Sequence, residues 1–326
     1  MPWDTTEVYV NSNPVETTGS NGQIRINPSG AVWWIGDGLS DLYGLRGYVD
    51  GVVKRIDLPE EDLKCPSFGW SAGVRSWDFL PEGDEVVARC KNQVTGLVTL
   101  KVISLSTGSV LKTLSDLGAA DVGGVSVTDD GKIVYVGGRH DSPGAVYALK
   151  PPYDKPDSRE VRERGCLFIL CACVCVVSSC ARATARPLLT HAISSPTCTR
   201  ANTQLISTPL QPTSPIIPYT PTFVEPQHIT FPGSKGVVHA SLYLPSKMKE
   251  GCDKPPLLVK AHGGPTSSTS TTWRLDIQYW CSRGWVVVDV DYGGSDGYGR
   301  EYRERLKGEW GALDWKVREG RGGRKG

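Results

Sequence analysis

Between residues 9 and 150 the chain alternates short runs of β-branched and aromatic residues with glycine, proline and Asx turns. Ala31-Val32-Trp33-Trp34-Ile35 ends in Gly36-Asp37-Gly38, residues 98–105 end in Ser106-Thr107-Gly108, and Ile133-Val134-Tyr135-Val136 ends in Gly137-Gly138. Glu85-Val86-Val87-Ala88-Arg89 and Ala145-Val146-Tyr147-Ala148-Leu149 belong to the same series. Strands at this spacing, with Asp129-Asp130-Gly131-Lys132 as a hairpin turn, predict an all-β array. A sandwich would fit, but the repeated unit of strand, polar turn and strand matches propeller blades, and the stretch has room for about three of them. The open edges of such a partial β-propeller would pair with another chain or aggregate. Trp33, Trp34, Trp70 and Trp77 read as packing between strands rather than as a ligand cage.

The pattern is different beyond residue 219. Residues 227–231 and 237–244 read as two antiparallel strands joined by Pro232-Gly233-Ser234-Lys235-Gly236, and alternation at Val238, Ala240, Leu242 and Leu244 predicts a half-buried strand. Tyr243 reads as a packing residue. Leu257-Leu258-Val259 is then a continuous apolar run ending in Ala261-His262-Gly263-Gly264-Pro265, which suits a buried parallel strand feeding a loop with unusual backbone angles. Next come a helix over 273–281 closed by Arg283-Gly284 and a second apolar run over 285–290. Last come the loop Asp291-Tyr292-Gly293-Gly294-Ser295-Asp296-Gly297-Tyr298-Gly299 and a charged helix from about Arg300. Strand, glycine loop, helix, repeated, is the rhythm of an α/β sheet.

Between these regions, residues 158–218 have another character. Residues 166–180, CLFILCACVCVVSSC, form an apolar patch with Cys166, Cys171, Cys173, Cys175 and Cys180, and Ser/Thr/Pro-rich sequence without hydrophobic period follows. A transmembrane helix needs about 20 apolar residues, and this run is shorter, with Arg162, Glu163 and Arg164 before it and Arg182 after. A metal site favours paired Cys-x-x-Cys spacing, whereas Cys171, Cys173 and Cys175 alternate. The third reading, which we favour, is a disordered segment foreign to the fold, of the kind a translated intron or mis-joined gene model produces. Arg318-Glu319-Gly320-Arg321-Gly322-Gly323-Arg324-Lys325-Gly326 looks like a second instance, too short to signal RNA binding.

Composition adds limits rather than chemistry. A chain of 326 residues, 39% hydrophobic and 22% charged, is that of an ordinary globular protein of two domains. A net charge of +1 gives no electrostatic reason for nucleic acid or an anionic membrane as a partner. The first residues, Met1-Pro2-Trp3-Asp4-Thr5-Thr6-Glu7, have neither the basic region nor the apolar core of a secretory signal, so a cytoplasmic location is expected. No second His or Cys stands at ligand spacing beside His262, and neither a metal nor a cofactor is expected.

The region 255–311 carries a resemblance. Leu257-Leu258-Val259-Lys260 before His262-Gly263-Gly264-Pro265-Thr266-Ser267, then Ile277-Gln278-Tyr279-Trp280, Ser282-Arg283-Gly284 and Asp291-Tyr292-Gly293-Gly294-Ser295, occur in order and without gaps. Gly297-Tyr298-Gly299-Arg300, Tyr302-Arg303-Glu304-Arg305-Leu306 and Gly308-Glu309-Trp310-Gly311 complete the set. Together these resemble the start of the peptidase domain of the prolyl oligopeptidase family of serine peptidases, in the branch of acylaminoacyl peptidases and dipeptidyl aminopeptidases. The resemblance implies a partial β-propeller over 1–157 and the N-terminal part of an α/β-hydrolase domain over 219–326, and it has nothing corresponding to the insert over 158–218. It implies serine-type hydrolysis of short peptides by a Ser-Asp-His triad, all three members lying beyond the matched region, so this chain is expected to be inactive. A non-catalytic propeller that binds a partner is the alternative.

Within that family the His262-Gly263-Gly264 loop is implied to supply backbone N–H groups, at Gly264 in particular, to an oxyanion hole. The loop of Tyr292, Gly293, Ser295 and Tyr298 is implied to be structural and substrate-facing. Gly-x-Ser-x-Gly, the signature of a nucleophile elbow, occurs at Ser71 and at Ser295. The α/β-hydrolase order is Ser, acid, His, and the last histidine is His262, so Ser295 is not expected to be a nucleophile. Ser71 follows a poor strand, Cys65-Pro66-Ser67-Phe68, and precedes no helical period, so it reads as a turn.

Overall fold

The computed structural model describes residues 5–38, 41–63, 75–114, 117, 119–153, 203–207, 223–245, 247, 254–264 and 267–313. The turn at Ser71, Trp70, the cysteine patch and the Arg-Gly tail lie outside them.

The chain opens with a hairpin of β1 (Val8–Val10) and β2 (Asn13–Glu16). Three antiparallel sheets follow in sequence. The first is β3 (Asn21–Ile26), β4 (Val32–Gly36), β5 (Gly44–Val49) and β6 (Val52–Ile56), each strand beside the next. Its last turn is Asp50-Gly51, both at positive φ (51° and 80°), the type I′ pair whose twist matches the strands it joins. The second sheet holds β7 (Glu61–Asp62), β8 (Trp77–Phe79), β9 (Glu85–Asn92), β10 (Val98–Ser104) and β11 (Val110–Leu114). The third holds β12 (Asp121–Val127), β13 (Ile133–Gly138), β14 (Ala145–Leu149) and β15 (Thr203–Ser207). β12 turns into β13 at the expected place, with Gly131 at φ 77°.

Alternation sends neighbouring side chains of the middle sheet into two different cores. Val86, Ala88, Cys90 and Ile103 meet Trp33, Ile35 and Leu45 of the first sheet, while Val87, Leu100 and Val102 meet Val122, Val125, Ile133 and Tyr135 of the third. A strand covered on both faces carries apolar residues on both, as β9 does over Val86, Val87 and Ala88, and its buried Arg89 is paired with Asp121 (3.2 Å) of the third sheet. Trp33, Trp34 and Trp77 are all buried, in keeping with a packing role.

The last sheet is of another kind. β16 (Gln227–Gly233), β17 (Gly236–Tyr243), β18 (Leu257–Ala261) and β19 (Val286–Asp291) stand in the order β16-β17-β19-β18, and only β18 and β19 are parallel. Helix α1 (Leu275–Cys281) makes the crossover between that parallel pair, and α2 (Arg300–Glu304) follows β19. α1 starts two residues later than its apolar pattern suggests, because Arg274 at its N-cap is still extended (φ −128°, ψ 108°), with the Trp273 N–H before it tied to Arg139 O (2.6 Å) just past β13. Its end is closed by Gly284, whose φ of 82° turns the chain so that the Trp285 N–H reaches Trp280 O (3.2 Å).

The β16–β17 hairpin is tighter than expected. Its strands run to Gly233 and Gly236, leaving Ser234-Lys235 as a two-residue loop. The alternation expected along β17 also fails. Val238 and Ala240 are buried, but so is Tyr243, while Leu244 is exposed. The physical reason is that β17 is an interior strand with a core on each face. Val238 and Ala240 join Val290, Tyr292 and Leu306 on one side, and Tyr243 joins Ile277, Cys281 and Val287 under α1 on the other. Among the described residues no helix is long and apolar enough to cross a membrane.

Candidate functional site

His262, Gly263 and Gly264 leave the C-terminal end of β18. The His262 ring lies on Tyr292 (centroids 4.5 Å, planes 21° apart), and the Tyr292 hydroxyl donates to both His262 O (3.1 Å) and Gly264 O (2.8 Å). These bonds fix the loop's carbonyls toward the domain. Both glycines are exposed, no atom comes near where a Cβ would stand, and Gly264 has φ 78°. Among the described residues neither glycine N–H has an acceptor. Open backbone donors of this kind can stabilise an oxygen that gains negative charge.

Beneath the loop a serine, a histidine and an acid meet. His262 Nε2 is 2.6 Å from Ser295 Oγ and 3.9 Å from Asp291 Oδ1. The composition is that of a serine triad, but the connectivity is not. In a working triad one ring nitrogen faces the serine and the other the acid, whereas here Nε2 faces both. Ser295 Oγ also stands 2.7 Å from Tyr292 O, and the other ring nitrogen, His262 Nδ1, meets the Gly263 carbonyl (3.3 Å) where a triad would place its acid. The Asp291 carboxylate is already bonded to Thr269 N–H (2.6 Å), Thr269 Oγ1 (3.1 Å) and the Tyr298 hydroxyl (2.7 Å). The cluster holds two loops together.

Tyr292, Gly293, Ser295 and Tyr298 are all buried, Ser295 completely. Their polar atoms are used inside the molecule. Tyr298 stacks on His239 (4.0 Å, 16°), the Lys91 ammonium from β9 stands 4.3 Å from its ring centroid, and His228 and His239 face each other with ring nitrogens 3.3 Å apart. Burial, then the Asp291 charge, holds the Tyr298 hydroxyl protonated well above its usual range. Burial pushes His239 down to about 4, and His228 adds to the shift. Sequence reasoning missed this stack and the role of Asp291. The hairpin register, which sets Thr230 opposite His239 and His228 opposite Ser241, would have brought the two histidines together once the short loop was known. Among the described residues no group of His, Cys, Asp and Glu is arranged to hold a metal.

Residues 271–316 match the model of the prolyl oligopeptidase family. An uncharacterized peptidase of Bacillus subtilis is 33% identical over 91 residues, covering 28% of this chain and 14% of the relative. The acylamino-acid-releasing enzyme of Sus scrofa is 36% identical over 90 residues, covering 28% and 12%. The structure of a puromycin-hydrolyzing peptidase of Mycobacterium tuberculosis superposes on 97% of this chain with a TM-score of 0.69 and 23% identity, which is a likeness of fold. The chain spans 42% of that structure's length.

Proposed function

The chain is a member of the prolyl oligopeptidase family, and from that premise we propose that it carries the propeller and the leading part of the catalytic domain of a serine-type peptidase acting on short peptides. The three antiparallel sheets are then successive blades, and the sheet from β16 to β19 begins an α/β-hydrolase domain. Gly263 and Gly264 serve as the oxyanion loop. The observation that carries this reading is the open pair of N–H groups at the carboxyl end of a parallel strand, where α/β sheets bind their ligands.

The chain as it stands performs no turnover in this proposal. Ser295 is completely buried, and the His262 nitrogen that faces away from it meets the Gly263 carbonyl rather than an acid. Oxyanion donors without a nucleophile leave only a small part of a triad enzyme's rate enhancement. The test is to sequence the source transcript past the codon for Gly311 and assay the encoded protein beside this chain. The message should continue into Gly-x-Ser-x-Gly followed by Asp and His, and only the longer protein should release chromophore from a peptide substrate in a manner blocked by a serine-directed inhibitor. Inhibitor-sensitive release by this chain itself would refute the inactive reading, and a longer protein without release would refute the peptidase reading.

A further inference from the structure

Glycines mark the closest approach between the first sheet and the region after β19. A Cβ on Gly299 would overlap the Asp41 carboxylate, and one on Gly19 would lie 2.5 Å from the Arg300 guanidinium. One on Gly297 would lie 2.7 Å from Lys91 of the second sheet. Close approach across this seam accounts for glycine at 297 and 299 without any substrate.

The seam also supplies what α2 lacks. Gly299 stands at its N-cap and has no side chain to offer, yet the first two N–H groups of the helix are both bonded. Arg300 N–H donates to Asp41 O (2.8 Å), and Glu301 N–H donates to Asp41 Oδ1 (2.8 Å), across 260 residues of sequence. Asp41 therefore caps a helix in a different sheet system from its own. Behind it Asp37, fully buried, accepts Arg300 at 2.5 and 3.2 Å and Arg303 at 2.5 Å, and the Arg303 guanidinium lies 4.6 Å from the Tyr43 ring centroid.

From α2 the contacts run on to the candidate site. Tyr302 O accepts Gly294 N–H (2.9 Å), and the Tyr302 hydroxyl donates to Asp291 O (2.5 Å). Asp291 and Asp296 in turn hold the segment after the histidine loop, through Thr269 N–H (2.6 Å) and Ser267 O (2.9 Å), and Ser295 holds His262 itself.

We propose that Asp41 and Asp37 are positioning residues: by capping and clamping α2 from the first sheet they set the 291–296 loop and, through it, the His262-Gly263-Gly264 loop. The proposal rests on the reading of Gly263 and Gly264 as oxyanion donors, but its test needs no catalysis, so the two fail separately. Hydrogen exchange of the full chain is measured for wild type, Asp41→Ala and Asp41→Asn. Loss of the cap should speed exchange about five- to tenfold, at Arg300 and Glu301 and also at Gly294, Asp296 and Thr269, with β13 and β14 unchanged. Asp41→Asn keeps a carbonyl acceptor for Glu301 N–H and should restore slow exchange at all five. Acceleration confined to Arg300 and Glu301, acceleration spread evenly through β13 and β14, or no rescue by Asn would each overturn the proposal. If Asp41→Ala does not fold, Arg300→Lys, which gives up the fork on Asp37 and keeps the charge, should speed exchange at the same distant amides, and its failure to do so would count equally against it.

Discussion

Two glycine-rich loops leave the carboxyl ends of neighbouring parallel strands, and they use glycine for opposite reasons. After β18, Gly263 and Gly264 stand in open space, exposed, with only a positive φ at Gly264 to exclude other residues. After β19, Gly293 and Gly294 are packed so closely that a Cβ would come 2.7 Å from Leu313 and from Leu306, and Gly297 and Gly299 meet the facing sheets in the same way. The first loop keeps its backbone available, and the second gives its backbone up to packing. A Gly-x-Ser-x-Gly string is thus no sign of a nucleophile where its glycines are there to let helices and sheets close in.

The widest separation between the loops should come from Gly294→Ala. The new methyl would strike Leu306 Cβ and Cδ2, at 2.7 and 2.8 Å, and φ is 115°, outside the range L-residues adopt easily. Overpacking and backbone strain together should cost about 2–5 kcal/mol, read as a lower denaturant midpoint at an unchanged slope. A cost below about 1 kcal/mol would mean that the α2 side of the sheet gives way freely, and the contrast between the loops would collapse.

Much of this was legible in advance, and the limits have physical causes. Strands such as Ile133–Gly138 declare themselves through local pattern and turn residues, because an antiparallel meander is built from neighbours in sequence. The parallel crossover from Leu257–Ala261 to Val286–Asp291 was legible too, but not the burial expected of its first strand, which lies at the sheet edge with Leu257 exposed. What could not be read was anything set by non-local contact. Tyr243, expected to pack, does so under α1 rather than with Val238 and Ala240, and Asp41 caps a helix 260 residues away. The four residues implied to face substrate, Tyr292, Gly293, Ser295 and Tyr298, gave no sign in sequence of the depth at which the structure places them. His262 and the two glycines after it were found by motif, but only the geometry shows that the Tyr292 hydroxyl holds the His262 and Gly264 carbonyls.

Acid should loosen the packed loop before the open one. His239, stacked on Tyr298, is pushed from 6.5 down to about 4 by burial and then by His228, with Lys91 and Arg305 adding to the shift and Asp291 opposing it. His228 is lowered as well, by burial first and Lys91 second. A base that stays neutral in the fold but takes a proton when unfolded favours the unfolded chain as pH falls. Stability is therefore full above about pH 6.5 and declines toward pH 4. Denaturant midpoints at pH 7 and pH 5 should fall for wild type and fall less for His239→Phe, which keeps a ring against Tyr298 and removes the titration. Equal slopes in the two proteins would remove His239 from the account.

The smallest effect should come from Gly264→Ala, and its smallness is the point. No neighbour obstructs the methyl, so only the left-handed backbone matters, at φ 78°. That strain costs about 1–2 kcal/mol, and alanine recovers part of it by restricting the unfolded chain, which leaves a net loss of about 1 kcal/mol. The Gly264 carbonyl stays on the Tyr292 hydroxyl, so exchange at Gly294 and Ser295 should match wild type. A loss as large as that of Gly294→Ala would mean that the histidine loop is closed over by a part of the chain packed against it. Its donors would then be unavailable to an incoming oxygen, and the proposed oxyanion role would fall with the comparison.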